Sequence, residues 1–231
     1  MSREELAYRD GETGLTGAVF RPATTPLAAI AVFPTIMNPT PAVEAKASAL
    51  ADAGYLAFLC DFYGEKPADF AASVELATAL RADPAAYRRR LLAGIKQLSA
   101  IAPGLPQGAI GICMGGQAVL EMARAGVKLG AVASFHGLLD TKLPAEPGAV
   151  SSRILVCHGD VDPLVPRSQV LTFWEEMDRA GANWHFHSYS GVVHGFTNPN
   201  PPPAGGPPSF DPSADRQSWA AMLSLFDEVF V

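Results

Sequence analysis

The chain lacks several features that would each have defined a class. It has no run of about 18 apolar residues, the length a membrane-spanning helix needs; its longest apolar stretches are strand-length. It has no excess of positive charge. Seventeen Lys and Arg stand against 23 Asp and Glu, for a formal net charge of -6, whereas a nucleic-acid partner asks for a basic face. Three cysteines in 231 residues are an odd number that makes no disulfide framework and fits reduced thiols in the cytoplasm. Residues 1–10 are charged and carry no apolar core segment, so a signal peptide is not expected there. No phosphate-binding glycine loop follows the first strand, which leaves a nucleotide-binding reading without support. What the chain has in quantity is apolar residue. At 48% hydrophobic and 17% charged it has a compact globular profile, and 1–231 is long enough for one α/β domain with a large core.

Short apolar runs alternate with helix-length segments. Residues 15–20, 28–33, 55–60, 130–135, 153–157 and 184–189 read as strands, and 28–33 is apolar almost throughout, as a strand buried on both faces should be. Residues 41–53 have helical composition, with Gly54 placed to close the helix. Helices are also expected over 68–81, 84–101, 117–125, 167–181 and 213–230, with Asp83 as an N-cap and Pro84 in the first helical position. Such alternation predicts a mostly parallel sheet of about seven or eight strands with helices on both faces. Residues 140–151 and 197–211 are expected to lack regular structure, the second for its proline and glycine. The charge run Arg88-Arg89-Arg90 is expected on a solvated helix face.

The chemistry centres on Gly111-Ile112-Cys113-Met114-Gly115-Gly116. It follows apolar Ala109 and Ile110 and precedes a helical pattern. A strand that turns abruptly into a helix through glycines holds its central residue proud of the sheet, as a nucleophile elbow does. At a helix N-terminus, backbone N–H groups and the helix dipole bias a thiol toward thiolate. The plainer alternative is a small buried cysteine at a tight junction. An elbow of this type asks for an acid and then a histidine further along. Asp160 and Asp162 follow the strand 153–157, and His194 follows the strand 184–189, both at strand carboxyl ends, where open α/β sheets gather their sites.

These pieces resemble the dienelactone hydrolase family of the α/β-hydrolase fold. The resemblance is carried by the elbow, by Gly159-Asp160-Val161-Asp162-Pro163-Leu164-Val165-Pro166, and by His194-Gly195-Phe196, with strand order following the family over nearly the whole chain. It implies a cofactor-independent hydrolase of small esters or lactones, a carboxylesterase type of enzyme with no metal. Cys113 would be the nucleophile that forms a thioester. His194 would move the proton, and Asp162 rather than Asp160 would orient it. The backbone N–H groups of Ile36 and Met114 would receive the oxyanion.

Two positions depart from the family. Its members carry a glutamate in the loop after 28–33, where this chain has Thr35, and an arginine shortly after the histidine, where this chain has Asn198. Thr35 does not accept a proton usefully, so a direct Cys113–His194 pair and tolerance of neutral substrates are expected. The loss also keeps open a rival reading, a catalytically weak or silent binding or sensing protein on the same fold. His185 and His187, two apart on a strand, are expected as a strand-face pair rather than metal ligands, and Cys60 and Cys157 as core. Substrate identity and oligomeric state are not legible.

Overall fold

The computed structural model describes residues 2–200 and 209–231. Eight strands form one sheet: β1 (Ser2–Asp10), β2 (Thr13–Arg21), β3 (Ala29–Phe33), β4 (Leu56–Leu59), β5 (Gln107–Ile112), β6 (Ala131–Phe135), β7 (Arg153–Gly159) and β8 (Asn183–Tyr189). Their spatial order is β1-β2-β4-β3-β5-β6-β7-β8. β1, β2 and β4 pair antiparallel, and every pairing from β4 through β3 to β8 is parallel.

The helices are α1 (Pro41–Asp52), α2 (Phe70–Ala82), α3 (Pro84–Ile101), α4 (Met114–Arg124), α5 (Arg167–Arg179) and α6 (Pro212–Phe230). The central strands are buried on both faces, which is why they read as unbroken apolar runs. One side of the sheet packs against α3, α4 and α5, with Leu91, Val119 and Phe173 at the contact. The other packs against α1 and α6 through Leu50, Met222 and Phe226. Each such fully buried side chain stabilises the fold by about 1.5–3 kcal/mol. Asp83 caps α3 as expected, accepting from the N–H groups of Ala85 and Ala86, and Gly54 closes α1 with φ +94°.

Two expectations need correction. The first strand is not the run at 15–20: β1 precedes it and pairs with β2 along its whole length, from Ser2 opposite Arg21 to Asp10 opposite Thr13. β1 is a largely exposed edge strand in which only Tyr8 is buried, so it has no apolar run to betray it. The Gly11-Glu12 turn between the two strands was the available signal, with Gly11 at φ +57°. Nor is the arginine run a solvated face. Arg88 pairs with Glu121 at 2.8 Å, and Arg90 pairs with Asp10 at 2.8 Å while donating to the Phe62 carbonyl; of the three, only Arg89 is exposed. The ion pairs fasten α3 to α4 and to β1.

The stretch after β6 lacks regular structure, as expected, and it is held down by buried charge. Arg124 donates to both oxygens of Glu176 and to the Leu139 carbonyl, and Glu176 accepts the N–H of Ala145. Of the irregular stretch expected at 197–211, residues 201–208 lie outside the described residues; α6 begins at Pro212.

Candidate active site

The parallel strands deliver Cys113, Asp162 and His194 to the same edge of the sheet, their carboxyl ends, from the loops after β5, β7 and β8. Cys113 stands between β5 and α4 with φ +58° and ψ -117°, a conformation rare outside glycine. Its neighbours make that turn possible. A Cβ on Gly111 would lie 1.8 Å from the Gly115 carbonyl oxygen, and one on Gly115 would lie 2.0 Å from that of Phe33, so only glycine fits at either place.

His194 Nε2 lies 3.2 Å from Cys113 Sγ, and His194 Nδ1 lies 2.8 Å from Asp162 Oδ2. Asp162 is buried, and its other oxygen accepts the N–H of Leu164 at 2.9 Å, which fixes the carboxylate in its loop. Asp160 faces elsewhere and pairs with Arg167 at 2.7 Å. Geometry therefore distinguishes the two acids that sequence left as competitors.

The electrostatics favour an ion pair. Burial pushes the Cys113 thiol up, but the His194 imidazole and the backbone N–H groups of Ile36 and Met114 outweigh it and bring it below its ordinary value. Burial opposes charge on His194 as well, and its hydrogen bonds to Asp162 and Cys113 overcome this and raise it to about 10. Both shifts describe one state, thiolate beside imidazolium. Ile36 and Met114, expected as oxyanion donors, are thus the two residues whose N–H groups face the sulfur.

The loop bearing Ile36 is held by groups that sequence reasoning passed over. Asn38, at φ +62°, donates from Nδ2 to Asp61 Oδ1 at 2.6 Å and accepts the N–H of Phe62. The Asp61 carboxylate also accepts from the backbone of Thr16, Tyr63 and Gly64. The Tyr63 hydroxyl donates to the Ile36 carbonyl at 3.0 Å and lies 3.4 Å from Met114 Sδ, so it touches both residues that present N–H groups to the sulfur. The only visible hint was that Asp61-Phe62-Tyr63-Gly64 follows a buried strand.

Thr35 and Asn198 both line a small cavity of about 120 Å³, together with Ile112 and Lys46. Thr35 Oγ1 accepts the N–H of Met37. A second cavity, of about 470 Å³, is lined by Arg81, Tyr87, Gln117, Asp140 and Lys142. Cys113 and His194 line neither cavity; Gln117, one helical turn along α4 from Cys113, joins the larger one to the elbow. Arg81 donates to Gln117 Oε1 at 3.1 Å, and among the described residues it has no carboxylate partner. His185 and His187 lie on the edge strand β8, both exposed, and among the described residues no cluster of three or more His, Cys, Asp or Glu side chains could hold a metal ion. Cys60 and Cys157 are buried. No helix among the described residues is long and apolar enough to cross a membrane.

An eight-stranded, mostly parallel sheet with a cysteine elbow after its fifth strand defines an α/β hydrolase. Residues 15–230 match the dienelactone hydrolase family, and the chain belongs to that family. It is 32% identical to a dienelactone hydrolase-like promiscuous phosphotriesterase from metagenomic libraries, over all of this chain and 99% of that one, with a TM-score of 0.90. It is 33% identical to a protein solved as m3DLH, with the same coverage and a TM-score of 0.91. An uncharacterised protein of Caenorhabditis elegans is 37% identical over 131 residues, which is 53% of this chain and 80% of that one.

Proposed function

We propose that this hydrolase cleaves a small ester or lactone through a Cys113 thioester. The observation that carries the reading is the unbroken hydrogen-bonded line from Asp162 through His194 to Cys113, whose thiol the backbone N–H groups of Ile36 and Met114 also help to hold below its ordinary value. The thiolate attacks the carbonyl carbon, and negative charge passes from sulfur to the carbonyl oxygen. The N–H groups of Ile36 and Met114, already turned toward that charge, receive it on oxygen. As the carbon–oxygen bond breaks, His194 gives its Nε2 proton to the departing oxygen, leaving a thioester and a neutral imidazole. Water then attacks the thioester while His194 takes its proton. Collapse expels the Cys113 thiolate, releases the acid and restores the ion pair. Asp162 holds the His194 tautomer throughout. No step asks Thr35 for a proton, so the family's glutamate is dispensable in this scheme.

A panel of aryl esters and small lactones, assayed with the wild type beside Cys113→Ala, tests it. Hydrolysis lowered by about 10⁴-fold or more in the variant is expected, since removing a nucleophile costs on that order. Equal activity in both proteins would remove the thioester route, and no activity in either would favour the silent binding protein.

The name of one neighbour favours a second reading. A phosphotriester offers the same site a tetrahedral phosphorus in place of the carbonyl carbon, so an aryl phosphotriester belongs in the panel.

A further inference from the structure

His136 follows the last residue of β6 and belongs neither to the Asp162–His194–Cys113 line nor to the oxyanion loop. It is 2% exposed and has φ +41°, a conformation uncommon outside glycine. Its ring meets that of His194 edge-on, with centroids 4.9 Å apart and planes at 72°. It meets Phe196 in the same way, at 5.2 Å and 71°. Its Nε2 lies 2.9 Å from Thr197 Oγ1. One side chain just past β6 therefore touches three of the four residues from His194 to Thr197.

The chemistry of the contact is directional. His136 Nδ1 is buried with no partner outside its own residue. With the hydrogen on Nδ1, Nε2 accepts from the Thr197 hydroxyl. The charged groups that act on His136 are His194 and Lys46, and both, together with burial, hold it well below its ordinary value and so neutral. A neutral ring can lie against the His194 imidazolium, where a second cation would repel it.

We propose that His136 is a positioning residue that pins the histidine loop through the Thr197 hydroxyl, keeping His194 Nε2 on the Cys113 sulfur. The inference rests on the reading of Cys113 and His194 as the reactive pair. Its test is of the thiol rather than of hydrolysis, so the two can fail separately.

The experiment follows iodoacetamide labelling of Cys113 against pH, by peptide mass spectrometry, in wild type, His136→Phe, His136→Gln, Thr197→Val and the Phe/Val double variant. Loosening His194 weakens the opposite charge that favours the thiolate. The labelling midpoint should therefore rise by about one unit in His136→Phe and in Thr197→Val, roughly tenfold slower labelling at acidic pH. The double variant should shift no further than the larger single one, because both lose the same bond. His136→Gln, whose side-chain oxygen can accept from Thr197, should stay near wild type. Unchanged midpoints in the Phe and Val variants, whatever happens to thermal stability, would make His136 a packing residue and overturn the proposal, and so would shifts that add. If His136→Phe does not fold, Thr197→Val decides alone by the same criterion. Lost hydrolysis with unshifted midpoints would count against this proposal and leave the thioester reading standing.

Discussion

Cys113 and Cys157 flank the end of the same strand and could hardly differ more. The N–H of Cys113 donates to the Phe135 carbonyl at 3.0 Å, and the N–H of His136 donates to the Cys157 carbonyl at 2.8 Å, so the two backbones bracket the last residues of β6. Cys157 lies inside β7 and is fully buried, and burial pushes its thiol up to about 12 although the nearby Tyr189 favours the thiolate. Cys113 has left its strand, turned into the left-handed region and met His194 and two N–H groups. Residue type and neighbouring strand are shared. The backbone turn and the partners it meets make the difference, so the reactivity proposed for Cys113 is a property of the turn more than of the thiol.

The comparison is broken most severely from the acid. Asp162→Asn should lower hydrolysis by about 10³- to 10⁴-fold, because an unsupported imidazole loses tautomer and orientation. It should leave Cys157 as it was. Asp160→Asn, which releases only Arg167, should change activity by less than about threefold. Steady-state kinetics on the two variants checks this, and the reverse ranking would show that Asp160 supports the histidine.

Labelling sharpens the contrast next. The Cys113 thiol is held below its ordinary value, so as the pH falls from 9 its alkylation should slow later than that of a free cysteine. It should fade only once the pH drops through that lowered value. Cys157, pushed to about 12, is almost wholly protonated over this range, and a preference for Cys113 of at least about a thousandfold is expected near pH 7. His194→Ala should move the Cys113 midpoint up and narrow the gap. Brief alkylation and mass spectrometry read both effects, and equal labelling of the two cysteines would dissolve the distinction.

The smallest effect concerns substrate charge. Thr35 and Asn198 offer no charge to an anionic substrate, and neutral lactones should be turned over at least as well as carboxylated ones. Arg81, lining the larger cavity with no carboxylate partner among the described residues, is the group that could reverse this. A charge-assisted hydrogen bond contributes about 1.5–3 kcal/mol, roughly ten- to a hundredfold in affinity. kcat/KM for a neutral lactone and its carboxylated analogue, in wild type and Arg81→Ala, separates the cases. A strong preference for the acid that Arg81→Ala abolishes would assign the anion site to Arg81.

Legibility in the sequence follows the range of the interaction. The buried strands announced themselves as apolar runs because both their faces are covered, and α3 announced its start through Asp83 and Pro84. β1 did not, because an exposed edge strand needs no apolar face and is specified mainly by its partner. Arg88 and Arg90 misled for the related reason that their carboxylates lie 33 and 80 residues away. At the site, Cys113 and His194 were legible from local motifs, and Asp162 was favoured over Asp160 through the resemblance.

Sequence alone made the elbow legible, because the turn admits only glycine at Gly111, whose Cβ would meet the Gly115 carbonyl four residues on, a local requirement, whereas glycine at Gly115 answers to the distant Phe33 carbonyl. Sequence likewise determined the alternation of strand and helix, and hence the sheet edge where the loops gather. Only the tertiary structure decided which acid faces His194, that Tyr63, Asn38 and Asp61 hold the loop bearing Ile36, and that His136 lies against the histidine. Those contacts join residues 23 to 61 positions apart, through hydrogen bonds and ring contacts that leave no periodicity in the chain. They exist only once the parallel strands have brought their carboxyl ends together.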